Sequence, residues 1–253
     1  MALEILEDLR LVKSPRELAK IRAAADINDR VHSNVLKNIR MGMRECDVVE
    51  LIKKLLEREG AKALAFPPLV ASGTHAAAIH HGVRTLRADR TMIEVPCQKR
   101  LRRGEMVVLD FGAVVDGYNS DMTRTVFLGK PDAKQTKIYN LVLAAQQAAL
   151  AMVREGVTGG QVDRAARQII VNAGYRAAFA HGTGHGVGLQ IHERPNLKKG
   201  VREKLVAGEV ITIEPGIYLR GWGGVRIEDL VLVTKSGYEL LSKSPKNLGK
   251  AII

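Results

Sequence analysis

Gly104-Glu105-Met106-Val107-Val108-Leu109-Asp110-Phe111-Gly112 is answered 104 positions later by Gly208-Glu209-Val210-Ile211-Thr212-Ile213-Glu214-Pro215-Gly216. Each copy is a short apolar run between glycines, too short for a helix, and reads as a strand entering a turn. Residues 123–128 read as the strand returning from the first copy, and a second hairpin runs over 210–233. Upstream, Ser14-Pro15-Arg16-Glu17 has the form of a capped helix start, followed by Leu18, Ile21, Ala24, Ala25 and Ile27 at helical spacing. Val48, Leu51, Ile52, Leu55 and Leu56 predict a second helix over 47–59, ended by Gly60. Residues 63–72 read as a strand entering a turn at Gly73. Helices over 133–155 and 160–173 then repeat the pair ahead of the second hairpin. Gly60 aligns with Gly174 at an offset of 114 against 104 for the strands, so the first half holds ten more residues between helix and hairpin. The sequence therefore predicts one α+β domain over 1–253. Two helix–helix–strand–hairpin repeats would face each other across a shared, mainly antiparallel sheet, and two copies are too few for a solenoid.

Each hairpin ends its apolar strand on an acid, Asp110 or Glu214, and carries another on the return side, Asp121 or Glu228. A carboxylate at the end of a buried strand is costly unless it is paired, hydrogen-bonded or metal-bound. Four in matched positions of two repeats would bring like charges together, an arrangement that calls for cations. His181, His185 and His192 fall within twelve residues just ahead of the Glu214 hairpin. The glycines around His185 would let it project from a tight turn toward a metal.

Composition narrows the classes. The chain has 253 residues, 46% hydrophobic, 26% charged and 4% aromatic, which excludes disorder and low-complexity architecture. No apolar run is long enough to span a bilayer, and no signal-like start is present, so a cytoplasmic protein without a membrane partner is expected. Cys46 and Cys97 stand 51 positions apart and form neither a CxxC pair nor a disulfide framework. The formal charge of +12 invites a nucleic-acid or ribosome partner. Much of it is local: Arg84, Arg87, Arg90, Lys99, Arg100, Arg102 and Arg103 stand against Asp89 and Glu94. No aromatic residue is interleaved to stack bases, so a solvated basic loop is the preferred reading of the extra residues.

With these residues in view, the chain resembles the metallopeptidase superfamily of the "pita-bread" fold, which holds methionine aminopeptidases, Xaa-Pro aminopeptidases, prolidases and creatinase. The resemblance runs from Lys13-Ser14-Pro15-Arg16-Glu17 to the end. It implies two divalent metals held by Asp110 in Leu109-Asp110-Phe111-Gly112, Asp121 in Ser120-Asp121-Met122-Thr123-Arg124, and His185 in Gly184-His185-Gly186. The remaining ligands would be Glu214 in Ile213-Glu214-Pro215-Gly216 and Glu228 in Val225-Arg226-Ile227-Glu228-Asp229. This complete set argues against creatinase and the catalytically inactive relatives. The resemblance also assigns catalytic roles to His192, to His81 with His80 as its rival, and to Arg226, with Glu214 as the base. His75 and His181 are read as local hydrogen-bonders.

Ser72-Gly73, Leu189 after Gly188 and the Val225-Arg226-Ile227-Glu228-Asp229 stretch are similar to the Xaa-Pro branch rather than to methionine aminopeptidases. The expected reaction is hydrolysis of an N-terminal peptide bond, with proline favoured in the second position. Methionine aminopeptidase activity is the alternative, and a non-catalytic RNA- or ribosome-binding relative is the rival from another class. One nitrogen among carboxylate oxygens favours Mn or Co and leaves Zn open. Only twelve residues precede Lys13, so the N-terminal domain usual in that branch, which helps form dimers, is expected to be missing. A peptide substrate and a homodimer are the partners implied.

Overall fold

The computed structural model describes residues 8–79 and 98–253, together with the backbone of 85–86 and 92–93. Helix α1 (Pro15–Asn38) starts as predicted: the Ser14 side chain accepts from the Glu17 amide, and the Glu17 carboxylate accepts from the Ser14 amide at 2.8 Å. Helix α2 (Glu45–Arg58) begins two residues before the predicted start, because the Asp47 carboxylate accepts the Arg44 amide at 2.8 Å and holds the first turn from there. In the second half, α3 (Ala133–Met152) and α4 (Gly159–Asn172) are entered through the reciprocal caps Asp132/Gln135 and Thr158/Gln161. Helix α3 stops short of residue 155, where the Glu155 amide turns away to bond Thr234 O at 3.1 Å.

The strand predicted over 63–72 is two pieces. Ala63–Leu64 pairs with Ala113–Val115, while β1 (Leu69–Ser72) pairs with β2 (Met106–Phe111). Pro67 and Pro68 lie between them, and neither has an N–H to continue a ladder. On its other side β2 pairs with β3 (Met122–Phe127), giving an antiparallel sheet in the order β1-β2-β3.

In the second half β4 (Gly184–Gly186), β5 (Glu193–Leu197), β6 (Val210–Ile213), β7 (Gly216–Leu219), β8 (Gly223–Arg226), β9 (Asp229–Val233) and β10 (Tyr238–Leu240) follow in turn. Five of them form a sheet in the order β5-β4-β6-β9-β10, with β7 and β8 as a separate ribbon. The trio β4-β6-β9 thus answers β1-β2-β3. Gly104 and Gly208 both hold positive φ, +81° and +100°, as do Gly60 and Gly174, +99° and +88°. A side chain would resist that conformation at all four positions.

The shared sheet of the sequence reading is two sheets stitched along β3. The Glu228 amide donates to Thr123 O at 3.1 Å, the Thr125 hydroxyl donates to Arg226 O at 2.8 Å, and the Arg226 amide donates to Thr125 Oγ1 at 3.1 Å. Side chains of β2 divide by parity: Val107, Leu109 and Phe111 pack with α1 and α2, while Met106 and Val108 pack with α3 and α4. A strand buried on both faces reads as an unbroken apolar run, which is why it was legible. No described helix is long and apolar enough to cross a membrane.

Candidate metal centre

Asp110 lies near the end of β2, opposite Thr123, and Glu214 directly follows β6. The β6–β9 register sets Ile213 against Asp229, and the β7–β8 ribbon continues it with Gly216 against Arg226. One step beyond the Ile213 pair, Glu214 faces Glu228. The counterpart of Glu228 in the first repeat is therefore Thr123, and the counterpart of Asp121 is Arg226. Asp110 and Glu214 are matched by the repeat, as expected. Asp121 and Glu228 are not: they reach the site from register positions two residues apart.

The four acids and His185 nevertheless line one cavity of about 600 Å³, together with His181, His192 and Arg226. Ligand atoms of Asp121, His185 and Glu228 lie within 4.8 Å of one another. His185 Nε2 stands 3.3 Å from Glu214 Oε1 and 3.6 Å from Asp121 Oδ2. Its Nδ1 sits 3.0 Å from Gly186 O, which leaves Nε2 for the site. The flanking glycines permit this placement. A Cβ on Gly184 would fall 1.9 Å from Thr212 O, and one on Gly186 2.0 Å from Arg194 O, so only glycines let β4 lie this close to its neighbours.

The electrostatics call for positive charge. Burial pushes the Glu228 carboxyl up to about 8, reinforced by Glu214 and Asp110. Burial together with the Glu228, Asp110 and Glu214 charges drives Asp121 well above the carboxylate range, and Asp110 is raised mainly by burial. For Glu214 and His185 burial is overcome by their mutual hydrogen bond, which holds the acid at about 2 and lifts the imidazole to about 9. Asp110 Oδ1 is buried without a hydrogen-bond partner. A hard, oxygen-rich donor set with one imidazole, surplus negative charge and an unpartnered carboxylate oxygen fits divalent cations.

Around this set lies a hydrogen-bonded rim. Arg226 reaches Asp110 through Nη2 and donates through Nη1 to the Tyr218 hydroxyl at 3.0 Å and to Ile79 O at 3.3 Å. Tyr218 also meets His181 Nε2 at 3.0 Å, and His181 Nδ1 lies 2.7 Å from Gly182 O. His181 is thus a hydrogen-bonder, as read, but it belongs to the cavity wall. His75 Nδ1 contacts the buried Glu45 carboxylate at 2.9 Å. The His192 ring packs edge-on against His185, with centroids 4.4 Å apart. His80 and His81 lie outside the described residues, as do Arg84, Arg87, Arg90 and Cys97.

Two site residues escaped the sequence reading, Thr123 and Tyr218. Strand parity was the available signal, since each lies an even number of residues from a chosen acid, Asp121 or Glu214. The basic segment needs correction at one point: Lys99 is not solvated but donates to Ser72 Oγ and Glu105 Oε2, both at 2.7 Å.

Comparison with known proteins agrees with the fold. The profile of metallopeptidase family M24 matches residues 19–235. The chain is 41% identical over 245 residues to the Xaa-Pro dipeptidase of Pyrococcus furiosus, covering 97% of this chain and 67% of that protein. Among solved structures, the X-Pro aminopeptidase from Thermotoga maritima MSB8 superimposes with a TM-score of 0.91 at 34% identity, over 99% of this chain and 67% of that one. The prolidase from Pyrococcus furiosus does so with a TM-score of 0.88 at 40% identity, over 96% and 68%. The chain spans about two thirds of the length of the relatives it matches.

Proposed function

The chain belongs to metallopeptidase family M24, and from that premise we propose that it hydrolyses the N-terminal peptide bond of peptides with proline in the second position. The observation that carries this reading is the convergence of Asp110, Asp121, His185, Glu214 and Glu228 on one cavity. These five are proposed to hold two divalent cations, Mn or Co in preference to Zn on the hardness of the donors. Bound there, the cations supply Lewis acidity toward water and the scissile carbonyl. Glu214 takes the proton from the attacking water and returns it to the leaving nitrogen. His192, exposed on the cavity wall beside His185, donates to the oxyanion, with His81 as a second donor. Arg226 holds Asp110 in place. A cytoplasmic location and a homodimer belong to the same reading.

Preference for proline is supported by the names of the relatives and by the motifs around Ser72, Leu189 and Arg226. Proline offers no N–H and a fixed φ, so a selective site must recognise ring shape. The test is a panel of Xaa-Pro dipeptides, Xaa-Pro-Yaa tripeptides and a Met-Ala-Ser peptide with added Mn, Co or Zn. Cleavage before proline is expected, with little preference for an N-terminal methionine. Efficient cleavage of Met-Ala-Ser without Xaa-Pro turnover would move the enzyme to the methionine branch.

A further inference from the structure

His192 ends the irregular segment 187–192 that joins β4 to β5, and so lies just outside both strands. Three side chains brace this segment. Asn119, buried and two residues ahead of Asp121, donates through Nδ2 to Gly188 O at 2.9 Å and to Leu189 O at 3.0 Å. The Glu193 carboxylate accepts the Gln190 amide at 3.4 Å, and it packs so close to Gly188 that a Cβ there would fall 2.4 Å from Oε1. Lys13 Nζ donates to that same Oε1 at 2.7 Å. Lys13 is itself fixed: its amide donates to Gly208 O at 2.9 Å, its Nζ also donates to Leu11 O at 3.1 Å, and Ser14, the cap of α1, follows it directly.

The Lys13 and Glu193 side chains are only 2% and 9% exposed. An ion pair taken that far out of water gains little over apolar residues of the same size, so stability alone does not account for it. What it provides is a short, directional, charge-assisted bond, and hence a fixed geometry for the turn it closes. The residue next to Glu193 is His192, whose ring packs edge-on against His185 with centroids 4.4 Å apart. We propose that Glu193, clamped by Lys13, is a positioning residue that sets His192 against the metal centre. This rests on the peptidase reading, in which His192 donates to the oxyanion. A donor misplaced there by about 1 Å can lose ~10²-fold in rate.

The experiment measures kcat and KM for Ala-Pro and Ala-Pro-Ala with added Mn, together with metal content. It also records the imidazole resonances of the diamagnetic Zn-loaded protein by NMR, with His192 assigned by its loss in His192→Ala. Glu193→Ala should keep its metals and KM, lose about 10–100-fold in kcat and move the His192 resonances. Glu193→Gln can still accept from Lys13 and from the Gln190 amide, and should recover most of that loss. In the His192→Ala background, Glu193→Ala should cost no more than about twofold further, because the two residues act through one interaction. The same loss with and without His192, or no loss in Glu193→Ala, overturns the proposal. Should Glu193→Ala fail to fold, Lys13→Met releases the clamp from its other side and is read in the same way. Cleavage of no peptide by the unmodified protein sinks the peptidase reading instead. The His192 resonances then decide the placement: a shift in Glu193→Ala upholds it, and unmoved resonances overturn it.

Discussion

Thr123 and Glu228 are joined twice across the two repeats: the Thr123 hydroxyl donates to Glu228 Oε2 at 2.7 Å, and the Glu228 amide donates to Thr123 O at 3.1 Å. The same hydroxyl accepts from Arg226 Nε at 3.0 Å. Thr123 therefore fixes one of the two carboxylates that the second repeat contributes to the site, Glu228. A side chain that orients a metal ligand typically changes affinity ~10–100-fold when lost. Thr123→Val should weaken Mn binding by about that factor while Thr123→Ser keeps it, read by calorimetric titration. Equal affinity in all three proteins would show that Glu228 needs no such support.

Ligand and catalytic roles separate by variant. Asp110→Ala or Glu228→Ala should abolish both metal loading and turnover, and two metals per chain retained in either would sink the ligand assignment. His192→Ala should keep its metals but lose ~10²–10³-fold in kcat, the usual cost of one oxyanion donor. Metal content by emission spectroscopy, set beside steady-state kinetics, distinguishes the two outcomes.

Metal removal should make stability fall with rising pH. Glu228, lifted to about 8, and Glu209, lifted to about 7 by burial, bind protons in the folded chain that the unfolded chain has released. His185, raised to about 9 because its hydrogen bond to Glu214 outweighs burial, acts in the same sense once the unfolded pKa is passed. Their contributions are present at low pH and lost as pH climbs through these values. His32, held neutral by burial at about 3, and His181, lowered mainly by burial, work the other way below their ordinary value. The decline is therefore clearest between pH 6.5 and 8. Thermal unfolding of the chelated protein should show it, and added Mn should remove the part that comes from Glu228 and His185 while leaving the smaller part that comes from Glu209. A flat metal-free profile over that window would contradict the acid cluster.

The repeat was legible because β2 and β6 are apolar runs, each preceded by a glycine that holds positive φ, Gly104 or Gly208, a local signal. Asp110 and Glu214 followed from it directly. The mismatch between Asp121 and Glu228 was not legible, because it depends on hairpin register, and no spacing in the chain states how far the Asp121 turn lags behind. Thr123 and Tyr218 were missed for a related reason. A hydroxyl next to an acid is ordinary in sequence, and becomes part of a site only when the second sheet brings Glu228 or Arg226 against it. The break at Pro67-Pro68 is written in the sequence itself, since neither proline can donate to a ladder.

The described part of the basic segment holds one structural lysine and three surface arginines, and this division frames the test of the RNA-binding rival. Lys99 is mostly buried and bridges Ser72 Oγ to Glu105, while Ser72 donates in turn to the fully buried Glu45 at 2.8 Å. Removing a charged donor from such a network costs about 2 kcal/mol, or roughly 4–8 °C in a chain of this size. Arg100 and Arg102 are exposed, as is Arg103, and the Arg100 side chain only reaches Gly42 O at 2.7 Å. Lys99→Ala should therefore lower the melting temperature by that amount. Arg100→Ala/Arg102→Ala/Arg103→Ala should leave both melting and dipeptide hydrolysis nearly unchanged. A collapse of hydrolysis in the triple variant would put these arginines at the mouth of the cavity. If the unmodified protein instead binds RNA with a steep salt dependence that the triple variant loses, the arginines neutralise phosphates and the rival gains its footing.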